Sequence, residues 1–295
     1  MRRMEVTAPG LTGDYLNAWL AALGVTVLVD GTALRWTDDR IPEAVLTPPD
    51  GVDLEEAVAG ALPDVERIDR LAIANGHDRR FPRNVDVGQY TAAANAARSG
   101  RDFSLAASVT DLVRQPADRT LPHSPFDPPA PRGETLWSRL RACRQELDRS
   151  GPLTAAVRDT LNGAGARVSL NGLGFDFRRI PAGSQAGHGP RVDPMLECLA
   201  FHGLALLPVR GSGDARAWTR GWDGARRSGS RFCWPIWSPA LDRWAVDALL
   251  GALFAREVAT WRDLDLGVTA VYEARRFKRT GDMDQTYGFA SRAVT

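Results

Sequence analysis

A chain of 295 residues with 44% hydrophobic side chains and a formal net charge of +1 holds enough apolar material for one large or two modest domains. It needs no metal or disulfide to build a core, and no run approaches the roughly 18 apolar residues of a membrane span. The segment MRRMEVTAPGLTGDYL lacks the continuous apolar stretch of a secretory signal, so a cytoplasmic protein is expected.

The three cysteines, Cys143, Cys198 and Cys233, are far apart and form no metal-ligand spacing. They are expected as small buried hydrophobes in a reducing compartment. Of the 37 basic residues only Lys278 is a lysine, a bias that a GC-rich genome suffices to explain. Residues 1–75 carry 6 basic and 13 acidic side chains, whereas residues 76–295 carry 31 and 23. An acidic first part and a basic remainder suit a polyanionic partner for the latter.

The first 50 residues read as helix, strand, strand. Leu16, Trp19, Leu20 and Leu23 repeat at the spacing of an amphipathic helix, Gly24 marks its end, and VTVLV (25–29) is a β-branched run after it. LRW (34–36) and AVL (44–46) read as short strands around the turn TDDRIP. Further helices are expected around 53–61, 64–75, 89–99 and 104–114. Residues 115–133 place prolines at 116, 122, 125, 128, 129 and 131, which excludes helix and central strand and reads as a linker. This divides the chain into an N-terminal α+β domain (1–114), the linker (115–133) and a C-terminal α+β domain with basic loops (134–295).

Beyond the linker a helix carries Leu136, Trp137, Leu140 and Leu147 on one side. NGAGARVSLNGLG (162–174) reads as turns, LGFDF as strand-like, and 180–192 as a Gly-rich loop. Asp193 as N-cap, Pro194 at the first helical position and Gly203 just past the end frame a buried helix, with LALLPV (204–209) as a following strand. RFCWPIW (231–237) reads as an aromatic strand ending at a Ser238-Pro239 cap. The next helix aligns Leu241, Trp244, Ala245, Ala248, Leu249, Ala252 and Leu253, and GVTAVYEARRFKR (267–279) closes as a strand. Trp234, Trp237 and Trp244 are assigned to the core. The fold class is α+β, with helices packed on short, mostly antiparallel sheets in two sub-domains.

Signatures of phosphate-loop, dinucleotide, GxSxG and HExxH chemistry are missing. The four histidines, at 77, 123, 188 and 202, form no local metal pair, and His202 reads as a satisfied buried or end-of-helix residue. A non-enzymatic protein without cofactor or metal is therefore expected. The alternatives are a metal-dependent phosphohydrolase or nuclease at His77-Asp78 and a pure protein–protein adaptor docking through the acidic N-terminal part. The positive signal is arginine beside glycine and aromatics. Arg178 and Arg179 open one loop, and Arg216, Arg220, Arg226, Arg227 and Arg231 run through a Gly- and Trp-rich one. Arg275, Arg276, Lys278 and Arg279 surround Phe277. Guanidinium groups suit phosphates and rings stack on unpaired bases, although a solvated face would use arginine equally well.

NAWLAALGV (17–25) with the LRW strand, LGFDFRR (173–179), DPMLECLAFHGLALLPV (193–209), WPIW (234–237) and ARRFK (274–278) occur in that order. As an ordered set they resemble the accessory subunits of type I-G (formerly I-U) CRISPR–Cas systems. The resemblance implies prokaryotic antiviral defence and a non-catalytic role in a crRNA-guided effector complex. The partners it implies are crRNA, target DNA or both, and other effector subunits, with no membrane. In such systems base pairing reads sequence while protein holds backbone and displaced strand. It carries over no catalytic residue.

Overall fold

A computed structural model describes residues 4–74, 84–86, 120–122, 126, 136–174, 190–207, 220–223, 231–278 and 286–294. The helices expected around 89–99 and 104–114 lie outside these residues. Strand β1 (Val6–Thr12), helix α1 (Leu16–Leu28), β2 (Ala33–Trp36) and β3 (Glu43–Thr47) form the first unit, an antiparallel sheet in the order β1-β3-β2. Sequence patterning does not announce β1, because Pro9 and Gly10 interrupt it. They sit where the register with β3 shifts between Ala8 and Thr12, and a Cβ on Gly10 would collide with the Thr160 carbonyl. Glycine inside a strand marks this kind of bulge and close backbone approach.

Helices α2 (Leu54–Ala61) and α3 (Val65–Ala74) follow as expected, and β4 (Asn84–Asp86) pairs antiparallel with β5 (Thr120–Pro122), a three-residue strand inside the proline-rich segment. Helix α4 (Leu136–Ser150) buries Leu136, Trp137, Leu140 and Leu147, as its spacing predicts. Helix α5 (Leu153–Leu161), not anticipated, leads into turns where Gly163, Gly172 and Gly174 adopt positive φ, and then into the pair β6 (Val168–Ser169) and β7 (Arg191–Val192). Helix α6 (Pro194–Gly203) is buried along its whole length and capped by Asp193, which accepts from the Met195 and Leu196 N–H groups at 2.9 and 3.3 Å.

Strands β8 (Trp222–Asp223) and β9 (Arg231–Trp237), helix α7 (Arg243–Phe254), β10 (Val268–Lys278) and β11 (Thr286–Ala293) complete the chain. Their antiparallel sheet runs β11-β10-β9-β8. The architecture is α+β: helices on small antiparallel sheets.

Four local expectations are corrected. Helix α1 does not stop at Gly24 but runs through VTVL to Leu28. It crosses α6 so closely that a Cβ on Gly24 would strike the Leu199 carbonyl, and one on Gly203 the Leu20 carbonyl. These glycines are contact points between helices, and tertiary packing overrides the strand preference of VTVL. Residues 204–206 form a 3-10 turn continuing α6, not a strand. Helix α7 is capped by Asp242, not by Ser238-Pro239. Leu241 is held in an antiparallel bridge to Leu34, with N–H···O distances of 2.8 and 3.0 Å, so its backbone cannot join a helix. From that start α7 turns Val246, Leu249, Leu250 and Leu253 inward and leaves Trp244 63% exposed, with the Arg243 guanidinium 4.3 Å from its ring centroid. Trp244 is therefore not core.

Trp234 and Trp237 are core, and their indole N–H groups tie β9 to the first unit. Trp234 Nε1 donates to the Gly13 carbonyl at 2.8 Å and Trp237 Nε1 to that of Leu34 at 3.0 Å; from α1, Trp19 Nε1 donates to the Pro235 carbonyl at 3.1 Å. Phe126, within residues 115–133, packs edge-on against Phe232 with ring centroids 5.1 Å apart. The buried side chains on both sides of that segment thus belong to a single cluster.

Candidate nucleic-acid interface

Alternation along β9 and β10 sorts their side chains onto two faces. Tyr272 lies opposite Trp234, Glu273 opposite Cys233, Ala274 opposite Phe232 and Arg275 opposite Arg231. Directly opposed residues share a face. Phe232 and Trp234 meet Trp19 of α1 with ring centroids 6.0 and 6.2 Å away, so this is the core face. The other face gathers Arg231, Arg275 and Glu273. Like charges directly opposed across strands repel, and Glu273 resolves the conflict. Arg275 donates through Nε to Glu273 Oε1 at 2.9 Å, and Arg231 Nη1 lies 3.5 Å from Oε2. The carboxylate is buried, while the Arg231 and Arg275 side chains remain 39% and 49% exposed. The backbone register pairs Glu273 with Arg292 of β11.

The structure thus brings together two of the sequence-predicted arginines, from segments more than forty residues apart. A third is placed differently. Arg220, expected as a loop cation, is buried, ion-paired with the Asp247 carboxylate and 3.3 Å from its carbonyl, so it anchors the turn before β8 onto α7. Its charge is neutralised inside the fold. Arg276, Phe277 and Lys278 lie on β10 opposite Phe289, Tyr287 and Thr286. Arg178, Arg179, Arg216, Arg226, Arg227 and Arg279 lie outside the described residues, as do His77 and Asp78. Glu273 went unnoticed in the sequence, although its i, i+2 relation to Arg275 in a strand carries the signal.

Inside the molecule, polar groups serve the fold. Glu197 of α6, fully buried, accepts from the Asn17 amide at 3.0 Å and from the Leu173 N–H at 2.6 Å, pinning the turn that begins LGFDFRR. Asp193 accepts from the Thr160 hydroxyl at 2.7 Å. Burial raises the Asp193 pKa, opposed by hydrogen bonds from Thr160, Leu196 and Met195 and by the Arg167 charge. Burial likewise pushes the Cys143 and Cys198 thiols up, which keeps both protonated and poor nucleophiles. His202 is fully buried, and desolvation, aided by the Arg67 charge, lowers its pKa to about 3. Among the described residues, no group of three or more His, Cys, Asp or Glu could hold a metal ion, and no helix is long and apolar enough to cross a membrane.

No protein-family model, curated protein or solved structure matches the chain.

Proposed function

We propose that the chain is a non-catalytic subunit of a type I CRISPR RNA-guided antiviral effector complex, holding crRNA or displaced target strand by its phosphate backbone. The observation that carries the nucleic-acid part is the Arg231–Glu273–Arg275 group: two half-exposed guanidiniums share one buried carboxylate. Guanidinium presents a rigid fork of donors to phosphate oxygens, and contacts to backbone position a strand without reading its sequence. The CRISPR part rests on the ordered resemblance. The segments that carry it supply α1, β2, α6, β9 and β10, which meet in the same core. The experiment is purification of the tagged chain from its native host, followed by sequencing of bound RNA and identification of bound proteins. The reading expects crRNA and effector subunits; a chain recovered alone, without crRNA, counts against it.

A second reading, in which the arginines join the basic remainder to the acidic first part and the chain acts as a protein–protein adaptor without holding nucleic acid, rests on the ion pairs between the two parts. Arg141 pairs with Asp69 at 2.6 Å, Arg158 with Glu55 at 2.6 Å and Arg243 with Asp30 at 3.3 Å. These show arginine used to join elements of the chain. An adaptor of this kind would bind neither RNA nor single-stranded DNA at any salt concentration. The hydrolase alternative predicts Mg²⁺- or Mn²⁺-dependent cleavage that His77→Ala and Asp78→Ala each abolish; the non-catalytic reading expects no cleavage.

A further inference from the structure

The geometry points to a single phosphodiester-sized anion site on the face of the β8–β11 sheet away from Trp19, with Arg231 and Arg275 as its ligands and Glu273 as a positioning residue. This rests on the nucleic-acid reading above and names the atoms that would serve it. Arg231 and Arg275 face each other directly across adjacent strands, where Cβ atoms stand about 4.5–5.5 Å apart. That spacing lets two guanidiniums close on one tetrahedral oxyanion. Arg275 is held at Nε, the inner end of its fork, and a guanidinium bonded there keeps the outer amino groups for a second acceptor. Glu273, 2% exposed on a central strand, is fixed by the sheet itself. It therefore sets the direction of both side chains before any ligand arrives.

Charge counting and positioning give opposite signs for the same substitution. Glu273→Gln removes a negative charge beside the site, so a purely electrostatic patch should bind a polyanion more tightly. If Glu273 aims the arginines, the amide can accept at only one oxygen and holds one guanidinium where the carboxylate held two. The guanidinium that loses its carboxylate oxygen is aimed less well at the anion and must be reoriented on binding, a cost that weakens affinity by about 3–10-fold. Arg275→Lys is the companion variant: it keeps the charge, loses the Nε–H, and alters a side chain that is half exposed.

The test uses the full chain, a fluorescent mixed-sequence single-stranded DNA and the matching RNA, with affinity measured across a salt series and the melting temperature recorded for each variant. The expected result is that Glu273→Gln and Arg275→Lys each bind several-fold more weakly, and that Arg275→Lys leaves the salt slope unchanged because its charge persists. Binding by both variants as tight as wild type, or tighter, overturns the positioning role and leaves the nucleic-acid reading standing. A wild-type chain that binds neither strand overturns the nucleic-acid reading and the site with it. Should Glu273→Gln fail to fold, Arg275→Lys alone decides.

Discussion

His202 ends α6 in the interior, and its lowered pKa makes it a marker of acid stability. The folded state keeps the ring neutral down to about pH 3, whereas the unfolded chain protonates it near 6.5. Its contribution is fully present above pH 6.5 and is lost as pH falls from there towards 3, at about 1.4 kcal/mol per pH unit. Asp193 works in the other direction: with its folded pKa raised, its contribution is present at low pH and fades as pH rises. The difference between wild type and His202→Leu isolates the histidine. The variant's stability should be visibly flatter between pH 6 and 4 in denaturant titrations at stepped pH; parallel curves would show that the ring is protonated in the fold. At this scale the sequence was a partial guide. Caps such as Asp193 and buried cysteines follow from local chemistry. Asp247 does not, because a turn brings Arg220 to it from elsewhere, and Glu273 does only in part: Arg275 is two residues along its own strand, but Arg231 reaches it across the sheet.

Elements show the same division. Long periodic or well-capped segments, α2, α4, α6, β9 and β10, were legible because their signals are local. Glycine commonly ends helices, and Gly203 does end α6, whereas Gly24 lies inside α1; both also let α1 and α6 touch, a fact of packing that no window of sequence contains. Gly203→Ala should accordingly cost about 2–3 kcal/mol or more through overpacking, measured by chemical denaturation, and a neutral result would mean the helices do not meet there. Helix α7 offers a paired test. Leu249 faces the core and Trp244 does not. Leu249→Ala should cost about 2–5 kcal/mol, while Trp244→Ala should change stability by less than about 1 kcal/mol. Equal losses would place Trp244 under a cover that the described residues do not provide.

At the scale of the whole molecule, the acidic first part and the basic remainder are partly joined to each other. Arg141, Arg158 and Arg243 reach acids of the first 75 residues, whereas Arg231 and Arg275 turn to Glu273 of their own sheet. Exposed pairs of the first kind contribute little stability each, so the charge asymmetry is not explained by cohesion alone. The α+β class was visible from composition and pattern. The continuity of the core was not, because three indole hydrogen bonds and Phe126 join segments that look separate along the chain.

The central claim is that arginines on the second sheet neutralise backbone phosphates. It is tested most directly by the salt dependence of single-stranded nucleic-acid affinity for wild type and for Arg231→Gln/Arg275→Gln, which keeps N–H donors beside Glu273. The predicted result is weaker binding by the variant and a salt slope shallower by about 0.7 per lost phosphate contact, measured well below the variant's melting temperature, which itself falls because buried Glu273 loses both of its cations. Unchanged affinity and slope together with a large loss of thermal stability would contradict it and assign these arginines to holding the fold together.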